Sequence, residues 1–325
     1  MDIFQLTSNQ DQHFEKAALE LFSLQAEKVD TYKHFISCLG IHPENINRIQ
    51  DIPFLPIEFF KTDDIYNAVK PPETTFTSSA TTNKGQSRHL VANLSLYEKS
   101  YVNGFTRFYG DPAEYCFLCL LPSYLERQGS SLIYMAEGLI RKSRYKQSGF
   151  YLHNLETLHR QLLENEKNKI PTLFLGVSFA LLNFASKYTM SLKSTIVMET
   201  GGMKGRRREI SREELHQTLT WQLGVKEIHS EYGMTELLSQ AYSKGNGIFQ
   251  TPPWMKIMLY DLYNPLTAAK SNTGGINIID LANQYSCAFI QTDDLGTILP
   301  DNTFEVLGRD DNSEIKGCNL LIENR

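Results

Sequence analysis

Apolar positions recur at helical spacing from early in the chain: Phe14, Ala17, Ala18, Leu21, Phe22 and Leu24, then Tyr32, Phe35 and Ile36. That spacing predicts helix within residues 1–40. Pro43, Pro53 and Pro56 then break the pattern, with Phe54, Leu55, Ile57, Phe59 and Phe60 between and after them. Residues 41–60 therefore read as a hydrophobic loop clamped onto a core. From about residue 90 the period switches repeatedly. A helical stripe through Leu94, Tyr97, Tyr101 and Phe105 precedes a strand-like run from Glu114 to Leu121. Next come a helix over 130–142, a short strand near Phe150, and a helix striped by Leu152, Leu155, Leu158, Leu162 and Leu163. A strand at Thr172–Gly176, a helix after Ser178 and a strand at Ser194–Met198 follow. Ser211-Arg-Glu-Glu214 has the form of a capping box and opens another helix. Val225–His229 is the next predicted strand, and a helix-like segment begins near Leu237.

This alternation predicts an α/β fold with a doubly wound, mainly parallel sheet and helices on both faces. Ligands of such sheets bind beyond the carboxyl ends of the strands. After residue 245 the texture changes. Strand-like runs at Trp254–Tyr260, Gly275–Asp280, Cys287–Gln291 and Thr303–Leu307 are separated by turn residues. A small antiparallel sheet or barrel packed on the first unit is expected there. The division is a helical N-terminal region (1–60), an α/β part (61–245), a β-rich part (246–308) and a tail (309–325).

Composition narrows the function classes. The 325 residues are 41% hydrophobic and 21% charged, ordinary for a globular chain. The net charge is −5, and Lys204-Gly-Arg-Arg-Arg208 is the one dense basic cluster. Both facts argue against a dedicated nucleic-acid binder. No apolar run approaches the roughly 20 residues of a membrane span, and no secretory signal pattern opens the chain. The five cysteines (Cys38, Cys116, Cys119, Cys287 and Cys318) outline no disulfide framework, so a reducing, cytoplasmic setting is expected. Cys116 and Cys119 form a C-x-x-C inside an apolar run and read as buried thiols.

Two stretches carry candidate chemistry. Glu231-Tyr-Gly-Met-Thr-Glu236 follows the Val225–His229 run. Tyr232 offers a flat face for a base, and Gly233 lets the backbone come close. Thr235 has a hydroxyl for a phosphate oxygen, and the Glu236 carboxylate can hold a hard cation such as magnesium. Thr74 to Ser87 is crowded with hydroxyls and contains Asn83-Lys84-Gly85. It lacks the Walker spacing. By composition it is a polar surface loop first and a phosphate-wrapping loop second.

Taken together, the motifs resemble those of the adenylate-forming superfamily of acyl-CoA synthetases and luciferases. Thr77 to Gly85 is similar to its hydroxyl-rich phosphate loop, and Glu231 to Glu236 to its Y-G-x-T-E motif. Gln291-Thr-Asp-Asp-Leu-Gly296 resembles its T-G-D-L-G motif. Gly308-Arg-Asp-Asp with Ile315-Lys-Gly317 resembles its hinge. The four occur in the family's order. The departures are Ser79-Ala80 and Asn83 at usual glycine positions, Asp293 in place of a glycine, and one extra residue in the hinge. The chain also stops within about ten residues of that hinge, before the family's mobile C-terminal domain and its lysine. Such a shortened form resembles the LuxE-type acyl-protein synthetases, as do Pro122–Ser131 and Glu199–Gly205.

The resemblance implies the large N-terminal domain of that fold and ATP-dependent activation of a fatty or other carboxylic acid to acyl-AMP. ATP and Mg2+ are its implied cofactors, and a fatty-acyl reductase is its implied partner. Thr77, Ser78, Ser79, Thr81, Thr82 and Lys84 would hold the β- and γ-phosphates. Thr235 would contact the α-phosphate, and Glu236 would bind magnesium. Tyr232 and Gly233 would meet the nucleotide, Tyr232 stacking on adenine with Gly201 and Gly202 flanking it. Asp294, assisted by Arg309, would accept from the ribose hydroxyls. Cys318, close to Lys316, would take the acyl group as a thioester; a tail cysteine with no role is the alternative. Lys204 is the candidate substitute for the missing lysine. Two further readings stay open: half of an aryl-acid CoA ligase, and a non-catalytic nucleotide-binding scaffold.

Overall fold

The computed structural model describes residues 2–7, 11–78, 85–122, 128–201 and 210–309. The chain opens with α1 (Asp11–Lys28) and α2 (Asp30–Cys38). Then come β1 (Leu55–Pro56), α3 (Phe59–Thr62), β2 (Thr74–Thr77), β3 (Arg88–Val91) and α4 (Leu94–Tyr109). The alternating part is β4 (Cys116–Leu120), α5 (Ser131–Lys142), β5 (Gly149–Phe150), α6 (Leu155–Lys167), β6 (Thr172–Val177), α7 (Ser178–Lys187), β7 (Thr195–Thr200), α8 (Arg212–Leu223) and β8 (His229–Tyr232). Six strands finish it: β9 (Ala241–Ser243), β10 (Ile248–Gln250), β11 (Met255–Tyr260), β12 (Thr273–Asp280), β13 (Phe289–Ile298) and β14 (Phe304–Arg309). Side-chain caps start many of these helices: Asn93 for α4, Ser130 for α5, Asn154 for α6 and Ser211 for α8 each accept from a first-turn N–H. Gly224 ends α8 at φ +62°, where a Cβ would lie 2.7 Å from the Met190 carbonyl oxygen.

Among the described residues a 12-stranded sheet runs β11-β12-β13-β14-β10-β9-β8-β7-β6-β4-β5, with β1 alongside β13. The strands β5, β4, β6, β7 and β8 pair in parallel, and those from β8 to β11 pair antiparallel. Strand β4 is buried at every residue. Phe117 and Cys119 face a core shared with α4 and α5, while Cys116, Leu118 and Leu120 face one built with α6, α7 and α8. The parallel part is therefore doubly wound, as expected. The antiparallel part corrects the sequence reading. It is not a separate sheet packed on the first unit but a hydrogen-bonded continuation of it, joined at β8. Among the described residues the other sheet is the two-stranded β2–β3 hairpin.

The N-terminal helices pack on the antiparallel part. Phe289 of β13 meets Phe22, Tyr32 and Phe54 at ring distances of 5.9, 6.2 and 6.3 Å. Leu24 and Leu163, assigned to apolar stripes, are about half exposed instead. Phe22 and Leu162 fill the neighbouring core positions. Arg309, placed in the tail by sequence, is the last residue of β14 and pairs in register with Asp294. No helix among the described residues is long and apolar enough to cross a membrane.

Candidate active site

Strand β8 is the seam of the sheet, with parallel β7 on one side and antiparallel β9 on the other. Its last residue, Tyr232, donates its hydroxyl to Asp294 Oδ2 at 2.7 Å. Arg309 Nε donates to Asp294 Oδ1 at 3.1 Å, and the Asp294 N–H donates to Thr292 Oγ1 at 3.1 Å. Three sequence-predicted residues from β8, β13 and β14 thus meet at one carboxylate. The Tyr232 ring is only 8% exposed and packs edge-on against Phe249 and Phe304. Little of it is left as an open face for a base, in contrast to the sequence reading. Its visible work is to hold Asp294.

The segment after β8 also differs from expectation. The strand begins at His229, where the predicted strand was to end, so Glu231 and Tyr232 belong to the strand itself. No helix starts near Leu237; the chain turns and returns as β9. The Asp280 carboxylate, fully buried, accepts from the backbone N–H groups of Leu238 and Ser239 at 2.9 Å each and from the Ser239 hydroxyl at 2.6 Å. A tertiary acceptor thereby serves the N–H groups that a helix would have used. Thr235 is half-buried and Glu236 buried in this turn. A Cβ at Gly233 would meet Glu231 Oε1, so a larger residue there would displace that carboxylate.

Two buried acids at the strand ends were not singled out by sequence. Glu231 stands opposite Thr200 and accepts its hydroxyl. Burial pushes its pKa up to about 7, the Thr200 hydrogen bond opposing and the nearby Glu199 charge adding. Glu199 accepts from Ser178 Oγ at 3.0 Å, with Arg212 Nε and His216 Nε2 each 3.7 Å away. The same Oγ lies 2.9 Å from the Gly201 carbonyl oxygen, so its one proton is shared between the two acceptors. That contact fixes the turn at Gly201, whose φ of +69° suits glycine. The available signal was a carboxylate following an apolar run, at Met198-Glu199.

Thr77 ends β2, so the predicted hydroxyl-rich loop starts inside a hairpin. The Thr77 N–H donates to Gly129 O at 2.7 Å, and the Ser87 N–H to Ser78 Oγ at 3.0 Å. His89 of β3 lies 2.8 Å from the Thr235 carbonyl and so brings the hairpin to the turn. Ser79, Thr81, Thr82, Lys84, Gly202, Lys204, Lys316 and Cys318 lie outside the described residues. Among the described residues no cluster of three or more His, Cys, Asp or Glu could hold a metal. Glu236 is a single carboxylate, which fits magnesium held by one or two protein oxygens and by substrate phosphates.

No family model matches the chain. It is 22% identical to the long-chain-fatty-acid–luciferin-component ligase of Aliivibrio fischeri, over 99% of this chain and 93% of that protein. A solved structure of 2-hydroxyisobutyryl-CoA ligase with 2-HIB-AMP and CoA aligns at a TM-score of 0.67 and 12% identity, over 95% of this chain and 76% of its own. ATP-bound MatB from Rhodopseudomonas palustris aligns at 0.54 and 13% identity, over 72% of this chain and 47% of its own. The chain has the fold of the adenylate-forming ligases, and its sequence is similar over nearly its whole length to a long-chain-fatty-acid–luciferin-component ligase.

Proposed function

We propose that this protein activates a carboxylic acid with ATP and then passes the acyl group to a protein thiol. The observation that carries the reading is the meeting of Tyr232, Asp294 and Arg309 beside the Thr235–Glu236 turn. In the first step a carboxylate oxygen attacks the α-phosphorus, the bond to the β-phosphate bridging oxygen breaks, and pyrophosphate leaves. Thr235 donates its hydroxyl to the α-phosphate as charge builds there. Asp294, held from two sides, receives the ribose hydroxyls. Glu236 would hold magnesium, which would neutralise phosphate charge. In the second step a thiolate attacks the acyl carbon, the carbon–oxygen bond to AMP breaks, and AMP departs. Cys318 is the proposed thiol, its proton passing to solvent, and a cytoplasmic acyl reductase the proposed onward partner.

The name of the Aliivibrio relative supports a long-chain fatty acid as substrate. The test is ATP–pyrophosphate exchange across a panel of acids. Exchange that depends on a fatty acid, and that Thr235→Ala and Glu236→Gln reduce about 100-fold or more, is expected. ATP binding with no exchange on any acid would point to a nucleotide-binding scaffold instead. With labelled acid, wild type should yield a hydroxylamine-sensitive acyl-protein and Cys318→Ser should not. The alignment with a CoA ligase keeps a second product in view: an acyl-CoA formed on adding CoA would make CoA the acceptor.

A further inference from the structure

Thr235 and Glu236 lie in a turn with no ladder to take their carbonyls, and a buried carbonyl left unpaired is costly. Each finds a side-chain donor from a different element. His89 of β3, 1% exposed, sets Nδ1 2.8 Å from Thr235 O. Asn283, fully buried in the β12–β13 connection, donates through Nδ2 to Glu236 O at 2.8 Å and to Cys287 O at 3.2 Å. That connection is itself clipped by Gln25 of α1, which donates to Asn283 O at 2.7 Å and accepts from the Ala288 N–H at 2.9 Å.

We propose that His89 and Asn283 are positioning residues for adenylation, fixing the backbone of Thr235 and Glu236, and that His89 does so as a neutral imidazole protonated at Nδ1. The proposal rests on the adenylation reading of those two residues. A carbonyl oxygen only accepts, so the proton of this hydrogen bond belongs to Nδ1. Burial drives the His89 pKa down to about 4, against the opposing pull of the Thr235 carbonyl. The ring is therefore uncharged at neutral pH, and Nδ1–H is its single N–H. Phe60 of α3 meets the ring edge-on at 5.9 Å and restricts its rotation. Fixed donors on consecutive carbonyls give the turn one backbone conformation, so the Thr235 hydroxyl and Glu236 carboxylate start from one position in each turnover.

The test combines NMR and kinetics on the full chain. In protein labelled with 15N-histidine, the His89 resonance, identified by its loss in His89→Asn, is expected as the Nδ1–H tautomer at pH 7. An Nε2–H tautomer would overturn the proposal whatever the activity. In pyrophosphate exchange His89→Phe should lower kcat about 10- to 100-fold while KM for ATP stays within about threefold. His89→Asn, whose amide nitrogen can stand in for Nδ1, should recover most of that loss. An unchanged kcat in His89→Phe, or equal losses in the two variants, would overturn it. If His89→Phe does not fold, the tautomer decides. Wild-type protein with no exchange on any acid would sink the adenylation reading itself, and the tautomer would still judge the His89 contact.

Discussion

At the residue scale, Asp294 joins the two halves of the sheet. Its carboxylate takes Tyr232 from the seam strand and Arg309 from the end of β14. Tyr232→Phe removes one buried hydrogen bond to a charged group, worth about 1–2 kcal/mol. The expected result is a KM for ATP raised about 10-fold with a smaller change in kcat, read by steady-state exchange. Glu231 makes a different prediction. Its folded pKa of about 7 lies above its ordinary 4.5, so the folded state holds the proton more tightly than the unfolded chain. The resulting cost is absent below pH 4.5, grows as pH rises, and is complete above 7. It amounts to about 3 kcal/mol by the free energy of a pKa shift. Glu231→Gln keeps an acceptor for Thr200 and removes the ionisation. Its Tm should match wild type near pH 4.5 and exceed it at pH 8, as thermal melts at the two pH values would check. Thr235 and Glu236 were singled out as candidates in the sequence because motif spacing displays polar side chains. Glu231's environment was not, because it depends on the β7–β8 register that sets Thr200 opposite it.

At the element scale, the lesson lies in the segment after β8. Leu237 and Leu238 fit a helix by local pattern, and local pattern lost to one distant carboxylate. Asp280 accepts from Leu238, Ser239 and Ala282 N–H groups, and the Ser239 hydroxyl it also binds receives the Trp254 indole N–H at 3.0 Å. Asp280→Ala strands several buried donors and should cost about 3–5 kcal/mol in urea unfolding. Asp280→Asn keeps one acceptor oxygen and should cost less. If the alanine variant were as stable as wild type, the carboxylate would not be what organises this turn. The α/β alternation was read correctly because its signals are local: α5, α6 and α8 each carry a side-chain cap, and apolar residues recur along its elements. The joining of β9 and β10 was missed because strands of three residues show no period.

At the whole-molecule scale, the N-terminal helices and the antiparallel strands form one unit. Phe22 and Tyr32 enclose Phe289, and Gln25 reaches the loop that holds the Glu236 carbonyl. Full-length protein should therefore unfold in a single calorimetric transition. Phe22→Ala should destabilise it by about 3–5 kcal/mol. Two separate transitions would show that α1 and α2 fold apart from the sheet.

The sequence by itself determined the periodic elements, the α/β class and the polar residues available at the strand ends, because periodicity, capping and motif spacing act over a few neighbouring residues. Tertiary structure alone decided that the antiparallel strands continue the parallel sheet. It likewise decided that Tyr232 supports Asp294 and that the turn after β8 takes its hydrogen bonds from His89, Asn283 and Asp280. The physical reason is common to all three. Strand pairing and burial join positions up to hundreds of residues apart, and a buried polar group is settled by whichever partner the fold brings within reach.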